Sequence, residues 1–364
     1  MSNAQSLQRM AARLAGIQAI RPPGAPGAVI VMALLPAASR PMTFAGCSLD
    51  ATRAFQACVG EAAEFLAQSD PRAAIVMPSV PGDAIAVSEV SAARQSRQWL
   101  KAMTFPEGRL VSLPAASCCY LPESAHLDIS TGCAAGRSVE EALFHALCEI
   151  IERDAARRWW GGAHAARDID ASHPARMEAM AWLSQARGAV CDRDVILLDI
   201  GGDAVIPVIA AASFLKNGKG FVLATAAHPD IASAATGAVR ELVQMEFGLF
   251  LATMKRDRAG PSGLGQADLR HLRRAETVDA SFPALKSSAP TLWCHDQPRA
   301  ETDPAIIARR LVNRGHQVFA ARLSTDPFLP VIRMLVTHMP IAMRAKSLTY
   351  NDRLWNGTSA TELY

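Results

Sequence analysis

Apolar residues recur along this chain with two different periods, and the change from one to the other divides it into helical and extended stretches. The first 22 residues read as a helical lead-in that ends at Pro22-Pro23. A short apolar run at 28–35, β-branched in part, stops at Pro36 and predicts a buried strand. Over 48–66 the period becomes helical. Ala51, Ala54, Phe55, Cys58, Ala62 and Phe65 share a face, and Ser48 is the candidate cap. Residues 70–137 are broken by Pro and Gly and read as strands and loops. The clearest helix is 138–160. Leu143, Ala146, Leu147, Ile150 and Ile151 form its stripe, and Ser138 with Glu141 forms a capping box.

Strands rich in Val and Ile follow at 193–200, 205–213 and 220–225, then a long helix at 231–254. Residues 256–289 are polar and broken, as in a surface excursion. A strand near 290–294, a helix at 304–314 and strands near 317–323 and 330–336 close the pattern, and 340–364 carries none. Helices and strands alternate in uneven blocks, which predicts an α+β or mixed α/β fold with a mixed sheet.

Composition narrows the functional classes. The chain has 364 residues, 50% of them hydrophobic, enough for a large core in one domain or two intimately packed ones. A net charge of +3 gives no footing for nucleic acid. The basic stretch at 270–274 is interrupted by His271 and Leu272 and reads as a solvated helix end. The run at 28–35 falls short of the roughly 20 residues a membrane span needs. No secretory signal pattern opens the chain, which places it in the cytoplasm. The cysteines, Cys47, Cys58, Cys118, Cys119, Cys133, Cys148, Cys191 and Cys294, include no C-x-x-C pair and read as small buried hydrophobes. The histidines have no spacing suited to zinc.

The candidate chemistry lies in three helical segments with acidic or amide residues three apart: Glu61 and Glu64, Glu149 and Glu152, Glu241 and Gln244. Residues so spaced share a helix face, where two carboxylates repel and a divalent cation would relieve them. Any one such pair, taken alone, reads more readily as a solvated face. The flanks Ala62-Ala63, Ile150-Ile151 and Leu242-Val243 are apolar, however, and the segments recur at similar intervals, as repeated strand–helix units around one site would require. The small-residue run 129–137 leads straight into the second helix. It is either a tight turn or a place where an anionic ligand meets backbone and helix N-terminus.

The run Ser130-Thr131-Gly132-Cys133-Ala134-Ala135-Gly136, continued by Glu149-Ile150-Ile151-Glu152-Arg153-Asp154, strongly resembles the YcaO family. That family shows a loop ending in A-A-G, then a helix with E-x-x-E-R-D. The segment Gly60-Glu61-Ala62-Ala63-Glu64 resembles its first acidic motif, 238–244 its third, and Pro330-Val331-Ile332-Arg333 a late strand that carries an arginine. The resemblance spans about 40–340. It implies a catalytic domain at 40–340, a lead-in at 1–39 and a tail at 341–364, with repeated strand–helix units bringing three long helices around a nucleotide site.

It implies further that ATP and Mg²⁺ are bound. Glu61, Glu64, Glu149 and Glu152 would hold metal, and Arg153, Glu241, Gln244 and Arg333 would contact the nucleotide. The implied reaction activates backbone amides of a ribosomally made precursor peptide, giving thiazoline or oxazoline rings. Thioamide or amidine formation, or a non-catalytic scaffold role, are the alternatives. Phe65 stands where the family often has arginine, Ala57 where serine is frequent, and no lysine appears near Ala45-Gly46. The end, Ser359-Ala360-Thr361-Glu362-Leu363-Tyr364, is not proline-rich. Only some 45 residues precede the first motif, which leads us to expect a leader-binding partner protein. The resemblance also implies a dehydrogenase or sulfur-delivery partner, and a dimer or hetero-complex.

Overall fold

The computed structural model describes residues 2–36, 42–70, 76–77, 98–121, 129–190, 192–294 and 301–339. Cys191, the tail at 341–364 and much of 70–97 lie outside the described residues.

The lead-in is a short helix, α1 (Asn3–Ala11), followed by a strand, β1 (Ala15–Ile20), and not one helix to Pro22. β1 is an edge strand exposed on both faces, so no apolar period marked it. β2 (Val29–Leu35) and β3 (Met42–Ser48) complete an antiparallel sheet in the order β1-β2-β3. A boundary at residue 39 therefore falls between two hydrogen-bonded strands. α2 (Ala51–Ser69) begins later than expected. Ser48 ends β3, and Asp50 is the cap, accepting from Arg53 N at 2.8 Å.

β4 (Val76–Met77), β5 (Trp99–Thr104), β6 (Leu110–Pro114) and β7 (Cys133–Ala135) precede α3 (Val139–Trp160). Ser138 caps α3 by accepting from Glu141 N at 3.2 Å, as its sequence predicts. The Glu141 carboxylate accepts from Arg137 N at 2.6 Å and not from Ser138, so the box is displaced by one residue. Then come β8 (Ala166–Asp168), α4 (Pro174–Arg187), β9 (Arg193–Asp199), β10 (Val208–Leu215), β11 (Val222–Ala227) and α5 (Ile231–Ala259). The chain continues through α6 (Gln266–Thr277), β12 (Ser287–Pro290), α7 (Pro304–Val312), β13 (Val318–Arg322) and β14 (Val331–Val336). The expected surface excursion at 256–289 thus carries the end of α5 and all of α6. Only Leu272 of α6 is buried, which left no stripe to read. α4 was equally invisible because its inward face is Ala175, Ala179, Leu183 and Ala186, mostly alanine.

Besides the three-stranded sheet, the described residues form one sheet in the order β11-β10-β9-β8-β12 and another in the order β4-β5-β13-β14-β7, with β6 on β5. The expected mixed α/β architecture is what the chain adopts. β10 shows the packing logic. Val208, Ala210, Ala212 and Phe214 enter the core around α3, while Ile209 and Ala211 enter the core under α4 and α5. Strand period two serves both cores at once. β2 divides likewise: Val29, Val31, Ala33 and Leu35 point to the core under α2, and Ile30 to that of α5. Layers shared in this way bring α2, α3 and α5 together. α2 touches β7, α3 touches β7 and β11, and α5 touches β3. No described helix is long and apolar enough to cross a membrane.

Candidate active site

Three helices bring their acids close to one another, beside a cleft lined by Glu61 and Glu64. On α2, Glu61 accepts from Ala45 N of β3 at 3.3 Å, and Glu64 accepts from Ala135 N of β7 at 2.8 Å. On α3, Glu149 accepts from Gly132 N at 2.9 Å, and Glu152 from the Thr225 hydroxyl of β11 at 2.6 Å. Glu241 of α5 completes the group. Its charge bears on both Glu61 and Glu152, while Glu149 bears on Glu61, Glu64 and Glu152. Gln244 lies one turn further along α5, half-buried.

The electrostatics are those of an acid excess. Burial, then like charge, raises Glu64 well above the usual carboxylate range. Glu152 and Glu241 are raised by burial too, against the opposing pull of Arg153. Glu61 stands at the rim and is open to solvent, which screens it; packing and the charges of Glu241 and Glu149 still push it up to about 7. Arg153 is the cation embedded among them, its Nε 3.9 Å from Glu149 Oε1 and 3.7 Å from Glu152 Oε1.

Two glycines allow this approach. Gly132 has φ +84°, and a Cβ there would lie 2.7 Å from Ile150 and 2.9 Å from the Met334 carbonyl. A Cβ on Gly46 would lie 2.3 Å from the Ala54 carbonyl and 2.7 Å from the Ala57 Cβ, so β3 lies directly on α2. Ala57 is thus one side of a close helix–strand contact. Phe65 packs with Phe44 and Tyr120, ring centroids 5.6 and 5.5 Å apart, and is part of the core around α2.

Arg333 is not turned towards the acids. It is wholly buried, donating from Nε and Nη2 to the Ser117 carbonyl at 3.2 Å and from Nη1 to the Thr131 carbonyl. The structure therefore brings Glu61, Glu64, Glu149, Glu152, Arg153 and Glu241 together, with Gln244 a turn away and Arg333 beneath the loop that holds Glu149. The start of α3, read as either a tight turn or an anion site, carries an internal clamp. Arg137 N and the Arg137 guanidinium both bond the Glu141 carboxylate, the latter at 2.9–3.1 Å.

Sequence reasoning missed several neighbours. A cavity of about 330 Å³ opens beside Glu61 and Glu64 and is lined also by Gly136, Arg137, Glu141 and His145. Glu141 and His145 precede Glu149 by two turns and one turn of α3, so extending the i, i+4 spacing back from Glu149 finds them. Thr225 and the three backbone N–H donors had no signal, because they reach the acids only through the fold.

The cleft fits Mg²⁺ with nucleotide better than a bare metal centre. Among the described residues no three acid, His or Cys side chains converge to hold one ion. Paired carboxylates facing an open cleft are instead the donor set of an ion that keeps water and phosphate oxygens as its other ligands.

Comparison with known proteins agrees. The sequence matches the profile of the YcaO cyclodehydratase family, ATP- and Mg²⁺-binding, over residues 83–340. The structure of YcaO from Methanopyrus kandleri bound with AMPPCP and Mg²⁺ superposes with a TM-score of 0.66 at 17% identity, over 93% of this chain and 91% of that one. A heterocyclase in complex with substrate and cofactor gives 0.72 at 18% identity, over 97% of this chain and 55% of its own. The E. coli microcin synthetase McbBCD complex with pro-MccB17 bound gives 0.56 at 14% identity, over 84% and 87%. These identities establish the fold. The chain spans about half the length of the heterocyclase. No curated protein sequence matches it.

Proposed function

The chain belongs to the YcaO family, and from that premise we propose that it activates backbone amides of a ribosomally made peptide with ATP and Mg²⁺, closing Cys, Ser or Thr side chains into azolines. The observation that carries this reading is the acid excess: five carboxylates from three helices face one cleft around one embedded arginine. Like charges so placed are costly unless a cation is bound between them.

In this reading Glu61, Glu64, Glu149 and Glu152 would hold Mg²⁺, and Arg153, Glu241 and Gln244 would face the nucleotide. Arg333 takes a different part from the one its motif implied. By fixing the Thr131 carbonyl it sets Gly132, whose N–H orients Glu149. MgATP supplies the phosphoryl group that converts a poor leaving oxygen into phosphate. The protein orients the phosphates, draws charge off them through Arg153, and positions the peptide carbonyl. Ring closure then expels the carbonyl oxygen as phosphate, with loss of the nucleophile's proton and the amide proton. The precursor peptide and a partner that captures its leader belong to the same proposal, supported by the McbBCD complex, which holds pro-MccB17. The segments 1–39, 40–340 and 341–364 remain our division of the chain into lead-in, catalytic body and tail.

Calorimetry with MgATP tests the reading. The native chain binds, and a folded Glu149→Gln/Glu152→Gln chain does not. Absence of binding by the native chain, alone and with its partner, would point to a scaffold and sink the mechanism. Peptide mass then sorts the products: loss of water marks an azoline, and replacement of oxygen by sulfur marks a thioamide.

A further inference from the structure

Resting on the azoline reading above, ring closure needs a group that takes the proton of the Cys, Ser or Thr nucleophile. In that reading Glu61, Glu64, Glu149 and Glu152 are committed to metal, and Arg153 is a cation. The space that adjoins the acids is the cavity of about 330 Å³ beside Glu61 and Glu64, in the size range of pockets that enclose small ligands. Besides those two acids, its ionisable wall residues are Arg137, Glu141 and His145. Arg137 and Glu141 are clamped on each other through both carboxylate oxygens. His145 remains. It is exposed on α3, one turn before Glu149, and it lines the same cavity as the acids of α2.

The ring is tied to the acid site through β7. It donates to the main chain of Ala135, the residue whose own N–H holds Glu64. In the neutral imidazole this leaves the second ring nitrogen as an acceptor. Burial lowers the ring's affinity for a proton; Glu141 opposes this, and Arg240 of α5 and Arg137 add to it. His228 lies beyond Phe144, whose ring centroid is 5.8 Å from that of His145 and 5.4 Å from that of His228, and Glu61 and Glu64 share the cavity. A ring so placed is neutral, and able to accept, near neutral pH. We propose that His145 is the general base of ring closure, taking the proton of the attacking thiol or hydroxyl in the cavity beside Glu61 and Glu64. As the sulfur or oxygen bonds to the carbonyl carbon, its proton passes to the second nitrogen of His145 and from there to solvent. The carbonyl oxygen departs as phosphate with the electron pair of its bond to carbon, and the amide nitrogen releases its proton to solvent as the C=N bond forms.

The test compares the full chain with His145→Gln, which keeps a donor for Ala135 but accepts no proton. The probes are a leader-bearing precursor peptide with one Cys in its core and its Cys→Ser counterpart, with the leader-binding partner present. Calorimetry of MgATP reports folding and the nucleotide site, and His145→Gln is expected to bind within about twofold of the unsubstituted chain. On the Ser peptide kcat should fall by about a hundredfold or more with KM little changed. The loss on the Cys peptide should be smaller, since a thiol with a pKa of about 8.5 is partly ionised unaided. Added imidazole should restore part of the rate to His145→Gln and none to the unsubstituted chain. A kcat within about threefold of the unsubstituted chain on the Ser peptide would overturn the proposal. So would equal losses on both peptides without rescue, which mark a structural role, and so would loss of MgATP binding, which puts His145 in the nucleotide site. Failure of the unsubstituted chain to close either ring is a different result. It removes the azoline reading itself, and the role of His145 with it.

Discussion

α5 runs between two clusters of charge that differ in how they are closed. On one side Glu241 joins the acid cleft. On the other, Glu246 lies between two arginines, 2.7 Å from Arg187 Nη2 and 3.2 Å from Arg193 Nε. All three side chains of this second cluster are only 8–11% exposed. The spare donors find fixed partners: Arg187 bonds the Arg193 carbonyl at 3.1 Å, and Arg193 bonds the Ser213 hydroxyl at 3.0 Å and the Ser213 and Gly220 carbonyls. Burial lowers Arg193, and Glu246 holds it up. Every charge here is answered from within the chain. In the acid cleft the carboxylates share four donor groups and one arginine, and the surplus stays negative. The closed cluster reads as architecture, and the open one as a place kept ready for a ligand.

The contrast breaks most sharply on stability. Glu246→Gln leaves two buried guanidinium groups without a counter-charge and is expected to cost about 3–5 kcal/mol in urea unfolding, with or without nucleotide. The acid cleft should show the opposite sign. Glu64→Gln keeps an acceptor for Ala135 N while removing a charge that burial disfavours, so the metal-free chain should gain stability against urea.

A pH series sharpens the same point. Carboxyls raised in the folded state bind protons that the unfolded chain releases near its ordinary value of 4.5. Their contribution is fully present below that value and is lost as pH rises through the folded values, about 7 for Glu61. The metal-free chain should therefore melt lower at pH 8 than at pH 5.5, and Glu64→Gln should flatten that slope. A melting temperature that rises over this interval would contradict the acid excess. The smallest effect belongs to Arg240→Met, an exposed side chain with no hydrogen bond or ion pair among the described residues, which should leave the free energy of urea unfolding within about 0.5 kcal/mol of the unsubstituted chain.

The acids were legible because i, i+3 spacing is a local property of a helix, and because apolar flanks showed that their faces turn inward. The long helices carrying them were legible for the same reason. Arg333 was legible as a residue but not as a bond, since its partners Ser117 and Thr131 lie far from it in sequence. The helix α4 escaped because alanine packs closely without announcing a face. The strand β1 escaped because an exposed edge needs no alternation. Arg187, Glu246 and Arg193 escaped altogether. Each is an ordinary charged residue locally, and only the docking of α4 on α5 beside β9 makes them a cluster.

The main-chain donors to Glu61, Glu64 and Glu149 have an evolutionary consequence. Ala45, Gly132 and Ala135 hold these acids by N–H groups that every residue except proline possesses. Positions 45 and 135 can then change side chain within the room their half-buried sites leave, while the geometry of the acids persists; the left-handed backbone at 132 asks for glycine. A saturation scan would show this as tolerance at 45 and 135 with a sharp exception at proline, next to near-total intolerance at the glutamates they serve. A geometry held by the main chain in this manner can persist while the side chains around it turn over.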